Sequence, residues 1–239
     1  FPTVGLSKGT SAKILWRSLF IQGAWNFKGM QNIGFVYAML PGLKKVHSAD
    51  VDGPAAKYLN FFNTHPYMAP AIAGVFLKLE EQGDGETIEK LKPTISGSLA
   101  ALGDTFFWAS LKPIVALLLL LTVMADHPWG IVPVLLLYNG VHFWIMAWGF
   151  NRGYRNGPGG ALELGGLLSI KRTKRMSYSI PLLAGMALAA LSLWKAADVN
   201  LGMSLLIFIG ALAAFRLRLG VFWIFYGVFT LSLVWTIIQ

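Results

Sequence analysis

The sequence predicts an all-α, polytopic integral membrane protein, with amphipathic and re-entrant (hairpin) helices in its N-terminal region followed by about five hydrophobic spans. Of its 239 residues, 55% are hydrophobic and only 13% are charged, and the mean hydropathy is +0.58. Soluble domains carry about 25% charged residues. The charge deficit lies after Pro113, whereas the chain before it mixes polar and apolar residues. We therefore expect a mixed N-terminal region and a membrane-embedded remainder.

Residues 13–28 form the first amphipathic segment. Lys13, Arg17 and Lys28 follow one edge at helical spacing, and Trp16 and Trp25 belong to the apolar stripes beside them. A basic edge beside an aromatic face is typical of a helix that lies at a membrane surface. An ordinary helix packed on its own domain is the alternative. We predict an interfacial helix with the lipid bilayer as its partner.

The next stretch, from Gly34 to Lys57, is predicted to be a connector, because Pro41-Gly42 is a turn signal. The following segment is rich in polar and aromatic residues and includes Asn63 and His65. Pro66 disfavours helical geometry for His65, which predicts a helix break or entry there.

An apolar run of 11 residues, Ala69 to Leu79, comes next. It is too short to cross a bilayer, which needs about 20 residues, and it fits a re-entrant or buried helix. Glu80 and Glu81 follow the run directly. They face either solvent or an internal cavity.

The stretch 97–113 joins the mixed region to the apolar region. It is rich in small residues, holds the carboxylate of Asp104, and ends in Lys112-Pro113. Such features at the mouth of a hydrophobic segment predict a discontinuous helix beside a solute path. Alternatively, Asp104 caps the helix that follows it.

Five segments are long or apolar enough to count as spanning candidates. They are Phe106–Ala125, Trp129–Gly149, Tyr178–Leu193, the shorter Leu201–Phe215, and Leu219–Ile238. The predicted domains are a cytoplasm-facing, interfacial and re-entrant region (1–105), the first two spans (106–149), a basic cytoplasmic loop (150–177) and the C-terminal spans (178–239).

Basic residues set the predicted orientation. The loop after the second span holds Arg152, Arg155, Lys171, Arg172, Lys174 and Arg175 against the single acid Glu163. The positive-inside rule places this loop in the cytoplasm. Alternation then puts the N-terminus in the cytoplasm and the C-terminus outside, with Arg216 and Arg218 on the inner side.

Several classes of chemistry lack the residues they need. The chain has no cysteine, and its four histidines are too far apart in sequence for a helical di-histidine metal site. It has no phosphate-cradling loop and no nucleophile elbow. The net charge of +9 is explained better by an anionic membrane leaflet than by nucleic acid. We predict no catalytic residue, metal, cofactor or nucleic-acid partner.

His142 is unusual because it lies inside the second predicted span. An ionisable group at that depth needs a partner or a cavity. The alternative is a neutral imidazole that hydrogen-bonds to a neighbouring carbonyl.

Five fragments in order together resemble a known family. They are Leu19 to Phe27 with Met30-Gln31, Phe61 to Tyr67, Gly74 to Glu81, Gly103 to Trp108 with Leu111-Lys112-Pro113, and Gly153-Tyr154-Arg155. The chain resembles the IID membrane component of the mannose/fructose/sorbose-type phosphoenolpyruvate sugar phosphotransferase system. Ser98 and Ala101 replace a proline and a glycine of the family pattern, and Lys112 stands where arginine is common, as in a divergent member.

The resemblance implies one subunit of a sugar permease in the bacterial cytoplasmic (inner) membrane. A IIC membrane subunit would be its partner, in a multimer of IIC–IID heterodimers that admits a mannose-like hexose. Soluble IIA and IIB phosphocarriers would supply the phosphate, so that this subunit is itself non-catalytic. The residues expected to line or support the route or the IIC contact are Asn63, His65, Glu80, Glu81, Asp104 and Lys112. The alternatives are a membrane receptor or scaffold that binds soluble partners and, less favoured, a lipid-modifying enzyme.

Overall fold

A computed structural model describes residues 5–48 and 50–194, and scattered residues between 202 and 230. It divides into two compact units, 1–186 and 187–239. The α-helices are α1 (Lys8–Ser18), α2 (Asn32–His47), α3 (Asp52–Ala56), α4 (Ala69–Gln82), α5 (Gly85–Gly103), α6 (Lys112–Met124), α7 (Ile131–Asn156), α8 (Pro158–Leu167), α9 (Ile170–Ser177) and α10 (Ser179–Trp194). The all-α class is confirmed: within the described ranges, β-pairing is limited to two isolated bridges.

Two helical stretches are long and apolar enough to cross a membrane, Gly85–Met124 and Pro128–Asn156. They contain most of the first predicted span and all of the second. α10 coincides with the third candidate to within one residue at each end. The fourth and fifth candidates lie mostly outside the described residues.

The first of these stretches is a single helix of 40 residues. It consists of α5, a π-helical segment (Asp104–Leu111) and α6. At 1.5 Å per residue it is about 60 Å long. The hydrocarbon core of a bilayer, about 30 Å thick, accounts for about half of that length. The helix continues through residue 105, where the sequence analysis placed a domain boundary.

The predicted break at Lys112-Pro113 is wrong, and so is the alternative in which Asp104 caps a new helix. Asp104 and Lys112 both have helical backbone angles, with φ/ψ of −61°/−45° and −60°/−48°. The π-helical segment accommodates the proline, because the Lys112 N–H bonds to the carbonyl of Phe107, five residues earlier. The helix therefore continues through Pro113, although a proline ordinarily ends a helix.

The predicted helix over residues 13–28 is shorter in the structure, because α1 ends at Ser18. The chain then turns, and the side chain of Asn26 accepts a hydrogen bond from the Gly29 N–H at 2.7 Å. Gly34 explains why the turn packs closely: a Cβ there would lie 2.0 Å from the Ile21 carbonyl oxygen. On α1 itself, Ile14 and Ser18 are buried and Trp16 is exposed.

The predicted connector from Gly34 to Lys57 is largely the helix α2, which contains Pro41. A proline inside a helix leaves the carbonyl four residues earlier without its usual donor, here that of Tyr37. Arg17 of α1 replaces the missing donor, since its Nη1 lies 3.3 Å from the Tyr37 oxygen. The same guanidinium lies 4.6 Å from the centre of the Tyr37 ring. A contact distant in sequence therefore allows a helix where the local sequence predicted a turn.

The core is centred on α4, whose residues from Ala69 to Leu77 are all buried. The predicted buried helix is present there. α4 packs against α7 through small residues: a Cβ on Gly74 would lie 2.4 Å from the Phe150 carbonyl oxygen, and one on Gly153 would lie 2.3 Å from that of Ala71. Glycine at such crossings lets two helix backbones touch, as in many membrane bundles.

The basic segment 150–177 was predicted to be a loop, but it is helical. α7 continues to Asn156, Gly157 turns the chain with a φ of +55°, and α8 and α9 follow. α9 carries Lys171, Arg172, Lys174 and Arg175 and buries Thr173. The basic residues are therefore held on an ordered helix.

We expect Gly153→Ala to destabilise the protein, because its methyl group would overlap the Ala71 carbonyl. Overpacking of this kind costs about 2 kcal/mol. Gly140→Ala on the same helix is the matched control, since a Cβ there meets nothing within 4 Å. Denaturant unfolding of the purified protein in detergent measures both variants. An equal effect at the two positions would contradict the proposed backbone contact.

Candidate functional site

Two non-helical segments meet inside the first unit, residues 19–31 and 59–65. The Gln31 N–H donates to the Phe62 carbonyl at 2.9 Å, and the Phe62 N–H donates to the Gly29 carbonyl at 3.2 Å. Met30 adopts a left-handed φ of 57° where the first segment reverses direction. We call this meeting point the junction.

Polar side chains complete the junction. The Thr64 N–H donates to the Gln31 side-chain oxygen at 3.1 Å, and the Thr64 hydroxyl donates to the Ser96 carbonyl at 3.1 Å. Asn32 donates to the Leu59 carbonyl. Irregular backbone is tolerated in a membrane protein where it is buried in protein or lines a cavity. Gly29, Gln31, Phe62 and Thr64 are buried, so the hydrogen-bonded centre of the junction meets the first condition.

Two clefts border the junction. The larger, of about 800 Å³, is lined by Asn63 and Phe61 from the second segment and by Lys92 and Ser96 of α5. The smaller, of about 330 Å³, is lined by His65, Tyr67, Trp108, Lys112 and His142, and by Gln22 from the first segment. We call the smaller one the histidine cleft. Asn63 and His65, two residues apart, thus line different clefts.

His65 is almost fully buried. Its Nδ1 accepts a hydrogen bond from the Tyr67 N–H at 3.3 Å, and its ring stacks on Phe107 with 5.1 Å between centres. Its Nε2 has no hydrogen-bond partner in the described part of the chain. Burial, with smaller contributions from the charges of Lys112 and His142, lowers the pKa of His65 to about 4. His65 is therefore a neutral imidazole at pH 7.

His142 of α7 faces the same cleft. Its ring stacks on Tyr67 with 3.6 Å between centres, and its buried Nε2 likewise has no partner among the described residues. His142 thus lines a cleft, as the first of the two sequence interpretations expects, while its Nε2 itself is buried. Tyr67 separates the two imidazoles, because its ring contacts both.

Asp104 and Lys112 lie at the two ends of the π-helical segment. Asp104 is partly exposed, and its carboxylate makes no hydrogen bond or ion pair with any residue that the structure describes. Lys112 is exposed, and its ammonium lies 5.4 Å from the centre of the Trp108 ring. Both charges belong to the helix that is long enough to cross the membrane.

Glu80 is engaged within the chain. Its buried carboxylate accepts a hydrogen bond from the Tyr58 hydroxyl at 2.7 Å and from His47 Nε2 at 2.9 Å, and Lys57 Nζ lies 3.9 Å away. Burial and the Glu80 charge both raise the pKa of Tyr58. This network joins the end of α4 to α2 and to the chain after α3.

Glu81 is engaged as well. It accepts a hydrogen bond from the Tyr154 hydroxyl of α7, and Lys78 Nζ lies 3.4 Å from its other oxygen. The Tyr154 hydroxyl also accepts from the Leu6 N–H at 3.0 Å. Glu80 and Glu81 therefore hold elements together, and neither lines the two clefts at the junction.

Within the described residues, no three His, Cys, Asp or Glu side chains come close enough together to hold a metal ion. Sequence reasoning missed the partners that build the site, above all Gln31, Thr64 and Tyr58. A single amide, hydroxyl or phenol that bonds to a group about 20 to 30 residues away leaves no local pattern. His142 could be found, because an ionisable residue in an apolar run is a signal in itself.

The family model for the PTS system mannose/fructose/sorbose family IID component matches residues 5–192. The chain belongs to this family. It is thus an integral membrane component of the sugar phosphotransferase system, and the resemblance found in the sequence is confirmed.

Curated relatives of this IID chain share about a third of their aligned residues with it. The mannose-specific EIID component of Escherichia coli K12 is 32% identical over 173 residues, which cover 69% of this chain and 61% of that relative. The fructose permease IID component of Bacillus subtilis is 28% identical over 213 residues, covering 83% and 74%. The chain therefore spans about three fifths of the length of the mannose-specific relative.

Two solved structures share the fold of this IID chain. One, described as a membrane protein, has a TM-score of 0.68 and 25% identity, covering 96% of both chains. The other belongs to a complex of the mannose transporter ManYZ with microcin E492, with a TM-score of 0.60, 23% identity and 96% coverage of both chains. The fold of this chain is therefore one that solved membrane proteins share.

We expect Glu80→Ala to lower the free energy of unfolding by about 3 kcal/mol or more, because it leaves the buried Tyr58 hydroxyl without its acceptor and His47 without its carboxylate. Glu86→Ala is the matched control: it removes an exposed acid that pairs only with Lys90, which is worth less than about 1 kcal/mol. Denaturant titration in detergent compares the two. A Glu80→Ala variant as stable as Glu86→Ala would refute the structural role.

Proposed function

We propose that this chain is the IID subunit of a phosphoenolpyruvate-dependent permease, and that it forms the route for hexose uptake together with a IIC subunit. The observation that carries the proposal is the junction, where two non-helical segments border two clefts that are lined in part by polar side chains. In transporters, non-helical backbone at membrane depth is typically found where it lines a cavity or a solute site.

The relatives support a hexose as the substrate. Their names specify mannose, fructose and sorbose. On this proposal the sugar is mannose-like, IIA and IIB phosphorylate it, and the permease is a multimer of IIC–IID heterodimers. This chain would take part without being phosphorylated itself.

The proposed site residues fall into two groups. Asn63, His65 and Lys112 border the clefts at the junction, and Asp104 offers its free carboxylate to the route or to IIC. Glu80 and Glu81 lie outside the clefts and support the site indirectly, because their hydrogen bonds hold the C-terminal end of α4 in place.

The proposed membrane surface includes the start of the chain. Trp16, Phe20, Trp25 and Phe27 are exposed, with T-shaped contacts between Trp16 and Phe20 and between Trp25 and Phe27. A cleft of about 390 Å³ between α1 and α2 is lined by Lys13, Arg17, Lys44 and Lys45. Exposed aromatic rings beside clustered cations suit the headgroup region of an anionic bilayer. Lys28, in the turn after α1, would add to this surface.

The proposed location is the bacterial cytoplasmic membrane. The basic segment 150–177 and the N-terminal region would face the cytoplasm and the C-terminus the outside, as the positive-inside rule predicts.

The experiment that tests the proposed function is co-expression with the IIC-like protein encoded nearest to this chain. We expect the two to co-purify in mild detergent, and deletion of this chain to abolish uptake of the cognate hexose. A stable, homogeneous monomer whose deletion leaves sugar uptake intact would overturn the proposal.

We expect Asp104→Asn to reduce the initial rate of sugar uptake about tenfold, equivalent to about 1.4 kcal/mol, while its amount in the membrane stays near that of the wild type. The amount in the membrane stays unchanged because the Asp104 carboxylate has no partner among the described residues, so the substitution breaks no bond that stabilises the fold. Asp52→Asn removes an acid from the first turn of α3 and serves as the control. Uptake of labelled hexose, normalised to membrane protein, measures the effect. If uptake and membrane amount fall together, Asp104 has a structural role instead.

A further inference from the structure

Lys112 is a cation in a region where cations are costly. It lies within the apolar part of the long helix, and no carboxylate lies within ion-pair distance of it in the described part of the chain. Among the described residues, its ammonium lies over the face of the Trp108 ring, and Trp108 is itself 46% exposed. A charge inside a membrane-spanning segment is ordinarily paired or lines a path. The two exposed side chains therefore mark a surface that needs an anionic partner.

His65, which lines the same cleft as Lys112, has a ring nitrogen without a hydrogen-bond partner among the described residues. A neutral imidazole carries one proton, and its Nδ1 accepts the Tyr67 N–H, so the proton lies on Nε2. That N–H group is buried and has no acceptor among the described residues. A buried donor without an acceptor is rare in proteins. The missing group is therefore a hydrogen-bond acceptor.

The residues that line the histidine cleft suit an anionic ligand that accepts hydrogen bonds. Its lining contains one cation, two imidazoles and the amide of Gln22, and it contains no carboxylate. Tyr67 and Trp108 add aromatic walls. The volume of about 330 Å³ accommodates a side chain but not a helix. An anion that accepts hydrogen bonds would satisfy both Lys112 and His65, whereas a neutral sugar would leave the lysine charge uncompensated.

We propose that the histidine cleft receives the carboxylate of an Asp or Glu side chain from the IIC membrane subunit. This inference rests on the proposed function and specifies the chemistry of the subunit contact. The carboxylate pairs with Lys112 at the exposed rim and accepts the Nε2–H of His65 deeper in the cleft. Trp108 covers the pair on the exposed side and excludes lipid from it.

The test uses the complex of this chain with the IIC subunit in detergent. We expect Lys112→Met to weaken association at least about tenfold, Lys112→Glu to weaken it further, and Lys112→Arg to retain it, because only arginine keeps the charge. Lys171→Met is the matched control, since it removes a cation from α9 and leaves the cleft intact. Thermal unfolding of each variant alone separates a loss of association from a loss of folding.

Two further variants examine the buried donor. His65→Phe keeps an aromatic ring and removes the N–H, so we expect weaker association. His65→Gln keeps a side-chain N–H donor, and we expect it to retain more of the affinity than His65→Phe. Equal behaviour of the two would contradict the role of the Nε2–H group.

Charge reversal identifies the partner residue. Each acid in the membrane spans of the IIC subunit is changed to Lys and paired with Lys112→Glu, and we expect one such pair to restore association. Restoration by none would overturn the proposal. So would a Lys112→Met variant that assembles normally but binds the hexose less tightly, which would indicate a sugar site. Wild-type assembly that depends on added phosphatidylglycerol, with a Lys112→Met variant that does not respond to the lipid, would indicate a lipid phosphate and would overturn it too.

The outcomes separate this inference from the function on which it rests. If the wild-type chain does not co-purify with the IIC subunit, the proposed function fails. If the wild type and Lys112→Met co-purify equally well, only the carboxylate contact fails.

Discussion

The close contact between α4 and α7 is the constraint on which the rest of the structure depends. Gly74 and Gly153 bring the two backbones into contact, and no larger residue fits at either place. With that crossing fixed, the residues at both ends of α4 are positioned as well. His65 and Tyr67 lie just before α4 and reach His142 of α7, whereas Glu81 at the other end reaches Tyr154 of α7. One helix pair thus carries a cleft near one end and an ion-pair network near the other.

The second constraint on the structure is that backbone N–H and C=O groups outside the helices need hydrogen-bond partners. An interruption of helix frees backbone donors and acceptors that lipid cannot satisfy. The chain answers with specific side chains: Arg17 bonds the carbonyl that Pro41 leaves free, Asn26 closes the turn after α1, and Gln31 bonds Thr64 across the junction. The irregular segments therefore have defined hydrogen-bond partners within the chain. These hydrogen bonds stabilise the non-helical backbone of the junction between the helices that surround it.

The sequence predicted those features that have a local cause. The 11-residue apolar run from Ala69 to Leu79 was identified as a buried or re-entrant helix from its length and composition, and α4 is buried. The second span and the break at His65-Pro66 likewise follow from local patterns. Prediction failed where a distant group reverses a local preference. Pro41 forms no turn because Arg17 supplies the missing hydrogen bond, and Pro113 ends no helix because the π-helical segment shifts the register before it. Neither compensation can be seen in a window of a few residues.

The same distinction separates the charged residues of the candidate site. From the sequence, Glu80, Glu81, Asp104 and Lys112 are alike, since each adjoins an apolar run. In the structure, the two glutamates are paired within the chain, and the charges of Asp104 and Lys112 are not paired with any described residue. Because uncompensated charge is costly in a bilayer, the unpaired residues are the ones whose partners lie outside the part of the chain that the structure describes. Both lie on the 40-residue helix, and that helix is accordingly the element through which we expect the second subunit or the sugar to act.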